Sequence, residues 1–546
     1  MTEDQSEFEI PEGLDPEMVP YFVAAQEDED PGAALAEAEA AAAEEEHQRH
    51  HDEEDLERLR DIVRDTLLAG ADPELVEAVL AGELGDEEDE EEEPRDEVAE
   101  EAAATQTAHA IYQALLGRSP EHDFDPSLAR VQEVLNILGD PQEAYPSVQV
   151  GGTNGKSSTT RMVAALLHGF GLRIGSYTSP HLTNVRERIA INGESLSAAT
   201  FVTAWADVAP YIEMVDATST AAGGPRISFF EALTVMAIAY FADAPVDAAV
   251  FEVGMGGRWD ATNVLDAGVV VLTPISLDHQ QYLGETLTEI AYEKAQIIKD
   301  KSIVVTCSQD PAVMEVIERR VLETDSVLWV EGKDWEVAGR APGVGGQSID
   351  VRTPTGTYEH VFVPLHGAHQ AQNAGAALVA AEAMMGGKAL PGDIVEESFL
   401  SVRSPGRLEV VRTSPTIVVD GAHNPAGVAA LRAALEEAFH FDVTIGLFSA
   451  MADKNIEEML VEIEPDLNEL VVVSMGGDRA ADLEDLAEIA RDVFGEDRVH
   501  TAETVADAID RAAELYDAPQ DATLTRGIIA FGSVRFAGEV AALLQR

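Results

Sequence analysis

Lysine is scarce in this chain. Of 35 basic residues among 546, only 7 are lysine, and they face 102 Asp and Glu for a formal net charge of −67. A protein that binds duplex nucleic acid needs a basic surface to displace counterions from phosphates, so that class is excluded. Cysteine occurs once, at Cys307, and cannot form an internal disulfide, which fits a reducing compartment. Cys307 ends the strand-like run Ile303-Val304-Val305-Thr306 and is expected to be buried filler. No segment reaches the roughly 18 consecutive apolar residues of a membrane span. The start, Met1-Thr2-Glu3-Asp4, is acidic where a secretory signal would be basic. Together these absences predict a cytoplasmic protein with neither nucleic acid nor membrane as partner.

What is present suits folded domains. Apolar residues make up 45% of the chain, which excludes disorder throughout, and the length leaves room for two or three domains. The acid is unevenly spread. Residues 1–104 hold 39 Asp/Glu and 5 Arg, a net of −34, and the remainder still carries −33. A folded region that stays so negative, with so little lysine, resembles the proteins of salt-in halophiles. Molar salt shortens the Debye length to about 3 Å and screens the repulsion. An acidic device for binding a partner is the alternative. Within the first 104 residues, Leu56, Leu59, Ile62, Val63 and Leu67, then Leu75, Val76, Val79 and Leu80, predict a short helical hairpin in acidic linkers.

From about residue 107 the pattern alternates between β and α. Apolar strand candidates lie at 147–150, 247–252, 268–273, 302–306, 416–419, 443–448, 470–474 and 527–531. Helical stretches separate most of them, which predicts an α/β fold with parallel sheets covered by helices. Segment 326–363, with Val327–Val330 and Tyr358–Val363, reads as a small antiparallel patch at the edge of the first domain. A turn-rich stretch at 403–407 predicts a boundary. The expected division is an acidic extension over 1–106, a larger domain over 107–403 and a smaller C-terminal domain over 404–546.

The segment Gly152-Thr153-Asn154-Gly155-Lys156-Ser157-Ser158 stands where a strand hands over to a helix. Glycines let consecutive N–H groups turn toward phosphate oxygens, and the helix N-terminus adds favourable partial charge. Lys156 would reach the β- and γ-phosphates, and Ser157 or Ser158 would approach magnesium. The standard phosphate-loop pattern needs glycine at position 150, where Val150 stands instead.

Later motifs sharpen this. Thr178-Ser-Pro-His-Leu182, Ser228-Phe-Phe-Glu-Ala-Leu-Thr234, Glu252-Val-Gly-Met-Gly-Gly-Arg-Trp-Asp-Ala-Thr-Asn263, Asp278-His279, Glu293-Lys-Ala295, Asp420-Gly-Ala-His-Asn-Pro425 and Gly532-Ser533 follow in order. With the GTNGK loop they resemble the folylpolyglutamate synthase and dihydrofolate synthase family of Mur-type amide ligases, from about 107 to the end. The resemblance implies a Mur-type ATPase domain with a parallel central sheet and a smaller Rossmann-like C-terminal domain. It implies ATP-driven addition of L-glutamate to folates, and to dihydropteroate as well, through an acyl phosphate, by a monomer. A Mur-type ligase with another carboxylate acceptor is the alternative, and the T-S-P-H-L and S-F-F-E segments argue against it. A regulatory ATPase is a further alternative; it would hydrolyse ATP without acceptor and glutamate.

The same resemblance implies roles for particular residues. Ser179 and Glu252 would hold a first magnesium and His279 a second. Lys294 corresponds to a lysine that CO₂ can carbamylate into an oxygen ligand, although Gln296 replaces the usual glycine and adds bulk nearby. Asn373 and Arg407 would contact the nucleotide, and Asp420 and His423 would close over it from the second domain. Lys454 and Ser533 would stand near the incoming glutamate. Asp125, Arg130, Pro180 and His181 would line the pterin side, with Pro126, Ser127 and Ala129 departing from the family's D-x-G-L-E-R pattern.

Overall fold

The computed structural model describes residues 97–118, 127–477, 479–517 and 524–544. The hairpin expected between Leu56 and Leu80, and Asp125, lie outside the described residues. Eight strands form the first sheet: β1 Ser147–Gly151, β2 Ile174–Tyr177, β3 Ile189–Ile191, β4 Glu194–Ser195, β5 Ala248–Glu252, β6 Val269–Leu272, β7 Ile303–Thr306 and β8 Val327–Val330. Their order is β4-β3-β2-β5-β1-β6-β7-β8, parallel except where β3 meets β2 and β4. β1 and β5 are buried along their whole length. Helices cover both faces of such a sheet, so its strands read as unbroken apolar runs and not as alternating ones.

A three-stranded antiparallel sheet follows, of β9 Glu336–Gly343, β10 Gly346–Arg352 and β11 Thr357–Val363. The expected patch exists, but Val327–Val330 is not in it. That strand pairs in parallel with β7 and ends the large sheet. The second large sheet contains β12 Glu409–Thr413, β13 Thr416–Val419, β14 Val443–Phe448, β15 Glu469–Val473, β16 Val499–Ala502 and β17 Arg526–Phe531. Its order is β12-β13-β17-β14-β15-β16, parallel apart from the hairpin partner β12. No helix among the described residues is long and apolar enough to cross a membrane.

Three helices position the site. Lys156–Gly169 leaves the end of β1 and packs against Ala368–Met384, which is buried along nearly its whole length. Phe229–Asp243 is closed at its start by a capping box, Ser228 with Glu231, and is apolar on almost every side because β-strands and helices surround it. Cys307 is fully buried in the core beneath the first sheet. In an open α/β sheet ligands bind beyond the carboxyl ends of the strands, where the order reverses. Here that place is the end of β1, flanked by β5 and β6.

Candidate active site

The loop after β1 is held in a shape that only glycine permits. Gly152 has φ +133°, and an added Cβ would lie 1.9 Å from Thr273 Oγ1. Gly155 has φ +88° and presses on the Asn373 amide, 2.4 Å from the place of a Cβ. Asn373 itself is fixed by donating to Gln370 Oε1 at 3.1 Å. Lys156 Nζ folds back onto the Thr153 carbonyl at 3.0 Å. Burial pulls the Lys156 ammonium below its ordinary pKa, against the opposing pull of Glu252 and Asp278. A cleft of about 170 Å³ runs along this loop, lined also by Arg407, Asp420 and His423.

Glu252 ends β5 beside the loop. It accepts from Ser157 Oγ at 2.8 Å and from the Ser179 N–H at 2.9 Å, and it is almost wholly buried. Burial raises its pKa, with the Lys156 charge opposing. Among the described residues no cationic side chain lies within ion-pair distance of it. A divalent cation would answer that buried carboxylate. His279, in the left-handed region at φ +51°, presents a buried Nδ1 without a hydrogen-bond partner. No three His, Cys, Asp or Glu side chains converge as a metal cluster among the described residues. The carboxylate, the two serines and the imidazole therefore suit magnesium, which keeps several waters, better than an ion caged by protein alone.

Lys294 lies behind the loop. Its Nζ donates to the Gly152 carbonyl at 2.6 Å, and burial lowers its pKa to about 7. Gln296 turns back along its own helix to the Tyr292 carbonyl and lines neither the cleft nor the cavity beside it. Its φ of −70° suits any side chain, so the absent glycine adds no bulk at the site.

Asp278 joins the two large sheets' loops. Lys454 Nζ donates to its Oδ1 at 2.6 Å, Asn424 Nδ2 to its Oδ2 at 3.2 Å, and His423 Nε2 lies 3.3 Å away. Asn424 also exchanges two 3.0 Å hydrogen bonds with Asn154 of the glycine loop. These charge-assisted contacts hold the Asp278 carboxyl well below the usual carboxylate range despite its burial.

A second, larger cavity of about 890 Å³ adjoins the cleft. Ser179, Pro180, Gly254, His279, His423 and Val534 line both. Tyr112, Phe229, Phe230, Trp259 and Tyr282, from the first-sheet part of the chain, give it an aromatic wall, and Lys454, Arg479, Ser533 and Arg535, from the second-sheet part, line it as well. His181 is clamped within it: Arg188 Nε donates to its Nδ1 at 3.0 Å, and the Tyr112 ring meets it edge-on. Arg130 is absent from the lining. It is buried in a 3.0 Å ion pair with Glu231, which does line the cavity.

Residues 150–381 match the family model of the Mur ligase middle domain, and 406–528 that of the Mur ligase glutamate ligase domain. A dihydrofolate synthase/folylpolyglutamate synthase of Mycobacterium tuberculosis is 44% identical over 464 residues, spanning 82% of this chain and 94% of that relative. The chain belongs to the dihydrofolate synthase/folylpolyglutamate synthase family of Mur ligases. Among solved members of the family, the M. tuberculosis folylpolyglutamate synthase complexed with ADP and AMPPCP is 43% identical, with a TM-score of 0.77 over 82% of this chain and 99% of that one. A folylpolyglutamate synthase complexed with AMPPCP and folate is 30% identical, with a TM-score of 0.69 over 81% and 100%.

For this family member, the sequence motifs located the cleft but left much of the cavity unassigned. Thr153, Asn154, Gly155, Lys156, Ser157, Ser158, Ser179, Glu252, His279, Asn373, Arg407, Asp420 and His423 all converge on the cleft. Ser158 also packs between helices, in contact with Ser404 and Gln370. Reading the sequence missed Asn424, Arg479, Arg535 and the joining role of Asp278. Asn424 sits inside a recognised motif and could have been found. The arginines carried no motif.

Proposed function

We propose that this chain adds L-glutamate to folates, and to dihydropteroate, with conversion of ATP to ADP and phosphate. The carrying observation is the wall common to cleft and cavity. A triphosphate along the glycine loop and an acceptor along the aromatic wall would meet at Ser179, His279 and His423. The acceptor carboxylate attacks the γ-phosphate, forming an acyl phosphate; the glutamate amine then attacks the acyl carbon and phosphate leaves. Gly152 to Ser158 would cradle the phosphates, with Lys156 countering the repulsion between triphosphate and carboxylate. Asn373, Arg407 and Asp420 would hold the nucleotide, and His423 would close over the reacting groups. Closure excludes water from a hydrolysable acyl phosphate.

Magnesium would supply charge neutralisation and alignment, held by Ser179 and Glu252 at one position and by His279 and Lys294 at another. For the second position, the Lys294 amine would add CO₂ and release a proton, becoming a carbamate. Its burial supports this, because the neutral amine is the reactive form. Pro180 and His181 would line the pterin side, with Arg130 acting through Glu231 and Asp125 beside them; Lys454 and Ser533 would face the incoming glutamate. We further read 1–106 as an acidic extension, 107–403 as the ATP-binding domain and 404–546 as the glutamate-ligase domain of a monomeric, cytoplasmic, halophilic enzyme. The net −33 outside the first 104 residues supports the halophilic reading.

ADP release in molar KCl with L-glutamate and either a reduced folate or dihydropteroate tests the assignment. Turnover that requires both acceptor and glutamate is expected; turnover with neither acceptor would refute it.

A further inference from the structure

The two parts of the chain that line the large cavity contribute different chemistry, and the cations from the second-sheet part are not equally free. Lys454 is committed, its ammonium 2.6 Å from Asp278 with both side chains buried. Arg479 is partly committed, 3.4 Å from Asp453. Arg535 is different. It is exposed at the start of the helix Val534–Leu544, borders the cavity, and makes no hydrogen bond or ion pair with any described residue. Its guanidinium lies over Gly477, where a Cβ would stand 3.2 Å from Nη1. Glu539, one turn along the same helix, also borders the cavity; Arg535 draws its pKa down, while burial raises it further.

In a chain with 102 acidic and 35 basic residues, a carboxylate partner is rarely far from an arginine. One that faces a cavity with no carboxylate in ion-pair contact among the described residues is placed to receive an anion from solution. The guanidinium fork matches a carboxylate through two parallel hydrogen bonds, which an ammonium cannot do. A volume of about 890 Å³ is near the upper end for small-molecule sites, which run to roughly 1,000 Å³, so the cavity has room for a ring system together with a glutamyl group.

We propose that Arg535, flanked by Arg479, is the carboxylate anchor of this cavity, gripping the α-carboxylate of a glutamyl group while the aromatic wall holds a ring system at the far end. The inference rests on reading the cavity as the place of glutamate addition. Two sources could bring that carboxylate: the incoming amino acid, or a glutamyl tail already on the acceptor.

Steady-state kinetics of Arg535→Ala in molar KCl separate them. Losing a charge-assisted pair should raise one KM by about 10–100-fold, with kcat and the KM for ATP within about twofold. A rise in KM for L-glutamate assigns the anchor to the incoming amino acid. A rise confined to acceptors with three glutamyl groups, absent with one, assigns it to the tail. Arg535→Lys should recover part of the loss and Arg535→Glu should deepen it. Unchanged KM values in Arg535→Ala would overturn the anchor. Calorimetric titration with γ-glutamyl-glutamate keeps this separate from the folate assignment. Binding by the wild type that Arg535→Ala loses supports the anchor whatever the ring system, and equal binding, or none by the wild type, overturns it. A thermal melt of each variant identifies any that fails to fold.

Discussion

The cleft proposed for the nucleotide and the cavity proposed for the acceptor share a wall but are built differently. The cleft is about 170 Å³ and is built around one short segment, 153–158, which contributes six lining residues and whose backbone is held by Gly155 against the Asn373 amide. The cavity is about 890 Å³ and takes its lining from several separate runs, 179–183, 228–231, 259–261 and 532–535 among them, spread between Tyr112 and Ala542. The cleft's polar groups already hold one another: Lys156 with Thr153, Ser157 with Glu252, Asn154 with Asn424. The cavity leaves Arg535 without such a partner. Preorganised charge suits phosphoryl transfer, where alignment supplies most of the catalysis, and a roomy mixed surface suits an acceptor that varies in length.

Substitution at Lys156 should divide the two most sharply. Lys156→Ala is expected to lower kcat by about 10³-fold and leave acceptor binding, measured by titration without nucleotide, close to wild type. Weak acceptor binding as well would mean that the two regions are less separate than their shapes imply. Lys294→Ala comes next, at about 100-fold, with partial recovery in short carboxylates such as acetate; wild-type rates would refute the carbamate.

Asp278 tests the join itself, since Lys454, Asn424 and His423 all reach it. Asp278→Asn keeps the shape but removes the charge, and should raise the KM for glutamate about tenfold while lowering kcat. The double variant with Asn424→Ala should fall short of additivity, because both act through one cluster; full additivity would argue against it. Trp259→Ala should touch the cavity alone, raising the acceptor KM by about 3–10-fold with the KM for ATP unchanged.

The smallest expected effect is on stability against pH. Burial, aided by the Arg188 charge, lowers the His181 pKa from 6.5 to about 3. Between those values the unfolded chain binds the proton that the folded chain refuses, so stability falls as pH drops from 6.5 toward 3. Glu187 acts in the same sense. Burial pushes its carboxyl up, but hydrogen bonds from the Thr183 hydroxyl and the Leu182, Thr183 and Asn184 N–H groups outweigh that and lower it. Its contribution is present above the unfolded value and lost as pH falls through the folded one. Denaturant midpoints at pH 7 and pH 5 in molar KCl should therefore decline, and His181→Gln should flatten the decline.

Legibility in the sequence followed locality. Each of the eight apolar runs between 147 and 531 forms a strand, because a strand buried on both faces must be apolar along its length. The glycine loop was legible because its geometry is dictated by residues adjacent in sequence. Val327–Val330 was assigned to the wrong sheet, since a four-residue apolar run carries no mark of its partner. Arg130 was read as facing substrate, and a lone arginine cannot announce that Glu231, 101 residues away, neutralises it.

The sequence by itself determined the class of fold, the glycine loop, the family and the unequal spread of its negative charge. Those properties reside in contiguous residues, where glycine conformation, apolar periodicity and composition act directly. Only the tertiary structure decided which cations are paired. It brings Asp278 to Lys454 across 176 positions and leaves Arg535 at the cavity with no ion-paired carboxylate among the described residues. Electrostatic partnership depends on distance in space and on burial, and neither is written in the order of the chain.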